Sequence, residues 1–166
     1  RLRAEVWTGA LAACWALGVR RYLVSYCDGP ADLAAVAARL PGPALLVPKI
    51  ETEAAVTAAD ALIAAAECLC IARGDLGTQV PPARLPGIER RLLEAARAAG
   101  KGMLLAGGLL PSAAAGRAVT RAERAALHYA LVHGATGFIL SEETAVGPVL
   151  AAAVRELRGI IEEWGR

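Results

Sequence analysis

The chain has 166 residues, a length that suits one domain and buries a substantial core. Its net charge of +2, from 18 basic and 16 acidic residues scattered along the sequence, excludes the concentrated basic surface of a nucleic-acid-binding protein. Hydrophobic residues reach 56% but aromatic ones only 4%, so the core is built mainly from alanine, leucine and valine, needs close helix packing, and favours helix.

The elements follow a repeat. After a helical start near residue 4, five β-prone runs succeed one another: "RYLVSY" (21–26), "ALLVPKI" (44–50), "CLCIARG" (68–74), "GMLLAGG" (102–108) and "TGFILSE" (136–142). Between and after them lie alanine-rich segments of helical period at 30–40, 52–66, 86–99, 120–133 and 148–164. Thr120 with Glu123 three residues on is a capping box, and the glycines in "AAGKG" and "VHGATG" stand where helices turn into strands. Strands this short and apolar are covered by helices on their faces, so the expected fold is α/β with a parallel sheet, one domain over residues 1–166.

Cys14, Cys27, Cys68 and Cys70 form no C-x-x-C pair, and His128 and His133 lie far from them in sequence, so a zinc site is not expected. The cysteines read as buried, reduced thiols of a cytoplasmic protein. The histidines suit surface or helix-end positions, and Trp7, Trp15 and Trp164 suit packing against terminal helices or cover for an open sheet edge. No apolar run of about 18 residues offers a membrane span. The chain opens at Arg1 without methionine or a signal-like segment, which is expected of a trimmed chain or a part of a longer one.

In parallel βα architectures the chemistry gathers at the C-terminal strand tips. Here the tips collect Lys49, Glu51, Arg73, Asp75, Ser141, Glu142, Glu143 and Thr144. All but two of the basic residues are arginine, and Lys49 is one of the exceptions. An ammonium is a compact point charge with a tunable pKa, where guanidinium is bulky and always protonated. Glu51 and Asp75, expected at the ends of adjacent strands, are two hard carboxylates of the kind magnesium takes, with water and substrate oxygens filling its other positions. Gly74 leaves the amides around Asp75 approachable to a carboxylate or phosphate. A solvated Lys49–Glu51 ion pair and an ordinary turn at Gly74–Asp75 are the plainer alternatives.

"KIE", "ARGDLG", "AGK", "TRAE" and "SEETA", in this order and spacing, resemble the barrel domain of pyruvate kinase, and the match runs through essentially the whole chain. The resemblance implies a partial (β/α)8 TIM barrel of about five strands. It implies Lys49 as the catalytic residue on the phosphoryl group and enolate oxygen, Glu51 and Asp75 as ligands of Mg2+ or Mn2+, and Arg73, Gly74 and Asp75 on the substrate side, the Gly74 and Asp75 amides holding its carboxylate. The small-molecule partner it implies is a 2-oxoacid such as pyruvate, or phosphoenolpyruvate.

The departures from the family pattern are specific. In "LAGGLLPS", Gly107 stands where the family carries a threonine, which puts proton delivery in doubt; Glu142 replaces a glycine; and prolines before "TRAE" are missing. The first three barrel strands, the lid domain and the C-terminal regulatory domain have no counterpart in the chain, nor does a glycine-rich phosphate loop replace them. Phosphoryl transfer needs clamps on donor and acceptor, and the chain supplies the enolpyruvate half. The expectation is a pyruvate kinase-like protein that does not phosphorylate ADP as this chain alone. A divergent enzyme acting on an enolpyruvate or oxaloacetate-like acid and a non-catalytic binding or assembly module are the alternatives. Five strands leave edges open, so a homodimer or another chain completing the barrel is the expected partner.

Overall fold

The computed structural model describes residues 4–146 and 149–164; the side chains of Trp7 and Glu143, and the start of the last helical segment at Pro148, lie outside the described residues. Helices and strands alternate as α1 (Ala4–Ala16), β1 (Arg21–Val24), α2 (Pro30–Ala37), β2 (Leu45–Ile50), α3 (Glu53–Thr57), α4 (Ala59–Ala65), β3 (Cys68–Ala72) and α5 (Arg73–Gln79). A 3-10 turn at Pro82–Arg84 leads into α6 (Leu85–Ala98), followed by β4 (Gly102–Ala106), α7 (Pro111–Ala114), α8 (Arg121–His133), β5 (Gly137–Ile139), α9 (Glu142–Val146) and α10 (Leu150–Trp164).

The five strands form one sheet in the order β1-β2-β3-β4-β5, every neighbouring pair parallel. Sequential parallel order with a helical crossover at each step is the arrangement of a (β/α)8 barrel, here an arc of five strands with β1 and β5 as its edges among the described residues.

Period-two alternation divides the sheet into two unlike faces. Ile50, Leu69, Ile71, Met103 and Leu105 pack with Leu62, Leu92, Leu93, Leu127 and Ala130 from the helices, and all are buried in one core. The opposite face is read from the register. Lys49 pairs with Cys70, Cys70 with Leu104 and Leu104 with Gly137, while Ala72 pairs with Ala106 and Ala106 with Ile139. That face is lined by small and polar residues, and the charged groups sit at its C-terminal rim.

Local chemistry sets the helix ends. Thr120 accepts from the Glu123 N–H at 3.2 Å while the Glu123 carboxylate accepts from the Thr120 N–H at 2.6 Å, the capping box legible in the sequence. The same carboxylate accepts the Ser112 N–H at 2.7 Å, which ties α7 to α8. Burial raises the Glu123 pKa, but hydrogen bonds from the Thr120 hydroxyl and the Ser112 and Thr120 N–H groups outweigh it and bring the carboxyl down to about 2. Gly134 ends α8 at φ +117°, where a Cβ would stand 2.9 Å from that of Arg97.

Two features differ from the pattern in the sequence. The segment expected as one helix over 52–66 divides at Ala58. The Thr57 hydroxyl donates to the Glu53 carbonyl four residues back at 2.9 Å, a bond that bends helices. The "ARGDLG" tip is not a loop: β3 stops at Ala72 and α5 starts at once, anchored by Leu76, which is fully buried. The cysteines are all free, with Cys27 and Cys70 buried but Cys14 and Cys68 half-buried. Burial pushes the Cys27 and Cys70 thiols up to about 11, which keeps them protonated and unreactive at neutral pH.

Candidate functional site

The strand tips bring four of the sequence-predicted residues to one rim. Lys49 is the penultimate residue of β2, and Glu51 follows two residues on, so both project to the same face. Glu51 is only 1% exposed. Its Oε2 accepts the Tyr26 N–H at 2.6 Å. Its Oε1 lies against the Lys49 ammonium in an ion pair without hydrogen-bond geometry, so this buried oxygen has no hydrogen-bond donor. Lys49 also donates to the Ser25 hydroxyl at 3.2 Å and remains 22% exposed. The plain alternative of a solvated ion pair is therefore excluded: the acid is fully buried, and a carboxylate is held there only by partners.

The β1 tip, which sequence reasoning passed over, supplies both clasps. Tyr26 adopts the left-handed region at φ +52°, uncommon for an aromatic residue, and this turn carries its N–H to Glu51 while Ser25 meets Lys49. Beside them the Thr52 hydroxyl donates to Asp28 and caps α3 by accepting the Ala55 N–H at 3.0 Å. The signal available in the sequence was the position of "SYCD" at a strand end.

Asp75 lies in the first turn of α5, exposed, with its own carbonyl accepting the Thr78 hydroxyl at 2.8 Å. Gly74 has open space on its Cβ side, while its amide nitrogen faces Gly107. Arg73 donates from Nε to the Gly107 carbonyl at 2.9 Å and again from Nη2, and its Nη1 stands 3.7 Å from Glu89. Burial raises the Glu89 pKa and the Arg73 charge opposes it. Arg73 thus braces the β3 and β4 tips and α6 with its guanidinium.

Gly107, where a threonine was looked for, is at φ +87°, and a Cβ there would approach Gly74 N to 3.0 Å. The missing hydroxyl is thereby matched by a backbone that leaves no room for it. At the last tip, Ser141 is half-buried, Glu142 is exposed and Thr144 is buried with its hydroxyl unpaired. His128 packs edge-on against Trp164 at 4.6 Å and His133 meets Glu94 at 3.0 Å, both away from the rim.

The donor set suits a hard divalent cation. It offers an orphaned buried carboxylate oxygen on Glu51, a free exposed carboxylate on Asp75, and no group of three or more His, Cys, Asp or Glu among the described residues. Magnesium is bound by one or two carboxylates with the rest of its shell from water and ligand, whereas a structural zinc site demands four protein ligands.

The family described as pyruvate kinase, barrel domain, matches residues 20–154. The chain belongs to the pyruvate kinase family. It is 34% identical over 158 residues to a pyruvate kinase of Methylorubrum extorquens, covering 95% of this chain and 33% of that protein. It is 32% identical over 147 residues to one of Agrobacterium vitis, covering 89% and 31%, and 32% identical over 152 residues to one of Mycobacterium tuberculosis, covering 87% and 31%. The chain spans about a third of the length of these pyruvate kinase relatives. No helix among the described residues is long and apolar enough to cross a membrane.

Proposed function

We propose that the strand-tip rim binds Mg2+ or Mn2+ between Glu51 and Asp75 together with a 2-oxoacid or phosphoenolpyruvate, and that this chain alone does not phosphorylate ADP. The observation that carries the reading is the buried Glu51 carboxylate, clamped on one oxygen and unpaired on the other, beside a half-exposed ammonium. When bound, the metal supplies Lewis-acid polarisation of a carbonyl oxygen. Lys49 is positioned to offset negative charge on the ligand oxygen turned towards β2, at a site walled by protein on one side, where such charge stabilisation is strongest. The Gly74 and Asp75 amides take the ligand carboxylate, and Arg73 holds the backbone that presents them.

The second part of the reading rests on what the rim lacks. Gly107 offers no hydroxyl, and no glycine-rich phosphate loop accompanies the tips, so the donor and acceptor clamps of phosphoryl transfer are not both in place. An open arc also favours association, and Leu17, Val19 and Leu23 form an exposed apolar line at the β1 edge. We therefore place a second copy of the chain at that edge.

Isothermal calorimetry with Mn2+ and oxalate, a planar dianion shaped like an enolised 2-oxoacid, tests the site. Oxalate binding should depend on the divalent ion and disappear in Asp75→Ala. Unchanged binding in that variant refutes the metal assignment.

A further inference from the structure

We propose that Ser25 is a ligand-contacting residue of this rim: its hydroxyl donates to the oxygen of the bound 2-oxoacid that faces Lys49. The proposal rests on the function argued above and extends it to β1, the strand at the edge of the sheet.

The argument begins with the direction of a proton. Lys49 has three donors and no acceptor, so in its 3.2 Å contact the ammonium donates and the Ser25 oxygen accepts. A serine hydroxyl has one proton of its own, and no acceptor for it is found among the described residues. Ser25 is exposed, so that proton points towards whatever lies in front of the lysine. Accepting from a cation also polarises the hydroxyl, and a polarised O–H is a better donor to an anion.

The backbone gives independent support. Extending the register from Val24 opposite Pro48 puts Ser25 directly beside Lys49 on the face away from the helices. The chain then turns through the left-handed Tyr26, and this turn delivers the Tyr26 N–H to Glu51. Strain of this kind at a non-glycine residue persists where the surroundings over-determine it, which is common at ligand sites. Two consecutive residues of β1 thus grip the two charged residues of β2, one by its side chain and one by its main chain. With no room for a side chain at Gly107, Ser25 is the hydroxyl this rim presents next to its ammonium.

The experiment uses the purified chain with Mn2+ and oxalate. Ser25→Ala should weaken oxalate binding about tenfold, the loss expected when one hydrogen bond to a charged group is removed. Mn2+ binding measured without oxalate, by the electron paramagnetic resonance of the free ion, should change less than about twofold, because Ser25 touches no carboxylate of the metal pair. Ser25→Thr should restore oxalate affinity, and Thr57→Ala, which removes a hydroxyl on α3 away from the rim, should leave it unchanged. Oxalate affinity within about twofold of the parent in Ser25→Ala overturns the proposal while the metal site stands. Equal losses of Mn2+ and oxalate binding also overturn it, by making Ser25 a prop for Lys49 and Glu51. A parent chain that binds Mn2+ but no oxalate overturns the function on which it rests.

Discussion

Replacing Gly107 by threonine puts back the side chain that the family pattern carries at this place, and the structure says that the fold will resist it. The backbone there has φ +87°, a region costing about 1–3 kcal/mol for a residue with a Cβ and more for a β-branched one. The added Cβ would stand 3.0 Å from Gly74 N, a backbone atom that cannot swing away as the end of a side chain can. Overpacking of this kind adds about 1–3 kcal/mol. Relief by movement of the tip would break the bonds from Arg73 to the Gly107 carbonyl, so the two costs share one escape and do not simply add. Gly107→Thr should therefore lose about 2–4 kcal/mol of stability. With a urea slope of about 2 kcal/mol per molar, the midpoint falls by about 1–2 M, read by far-ultraviolet circular dichroism. Gly87→Ala is the control: this glycine lies in α6 with open space at its Cβ, and alanine there should be neutral or stabilising. A Gly107→Thr chain as stable as the parent would show that the tip relaxes freely and that the absent hydroxyl has no structural cause.

Glu123 supplies an acid-sensitive link between α7 and α8. Its folded pKa of about 2 lies below the ordinary 4.5, so its contribution is fully present above pH 4.5 and is lost as pH falls towards 2. Because the group is partly solvated, the contribution is about 1 kcal/mol, and Glu123→Gln should flatten the fall in urea midpoint between pH 5 and 3 relative to the parent; parallel curves would contradict this. With phosphoenolpyruvate, ADP and Mg2+, the purified chain should turn over far below the roughly 1–100 per second of kinases, and robust turnover abolished by Lys49→Ala would refute the reading of an incomplete site.

The sheet was legible because each strand is a short apolar run, and burial on the helix side enforces that signal from Leu45–Ile50 through Gly137–Ile139. Helix α5 was hidden by Gly74 and Gly77, which oppose helix by propensity; the buried anchor Leu76 overrides them once the sheet exists. Lys49 and Glu51 were placed on one face by the period of two, so their pairing needed no structure. Their clasps did. A main-chain N–H carries no residue identity, and nothing in the letter Tyr announces a left-handed backbone at position 26. Arg73 read as a ligand contact because its spacing next to Gly74 is visible, whereas the carbonyl that occupies it is 34 residues away.

The dependence of the rim on β1 ties ligand binding to assembly. Ser25 and Tyr26 follow the last residue of a strand that pairs only with β2 among the described residues, so the two groups holding Lys49 and Glu51 sit at the least supported edge of the sheet. Leu17 and Leu23 flank that edge at 84% and 50% exposure, and covering such a line removes apolar surface from water while pairing free backbone groups. A second copy docked there would restrain β1 and, through it, the Tyr26 N–H on Glu51. Binding free energies are reciprocal, so a ligand that favours the restrained rim must also favour association. Light scattering at micromolar concentration should give twice the 17.1 kDa of one chain, with the dimer persisting to lower concentration when Mn2+ and oxalate are present. Leu23→Glu should shift the population towards monomer and weaken oxalate binding with it. A monomer that stays compact, ignores the ligand and binds oxalate as tightly after Leu23→Glu would separate the two, and β1 would then hold the rim without outside support.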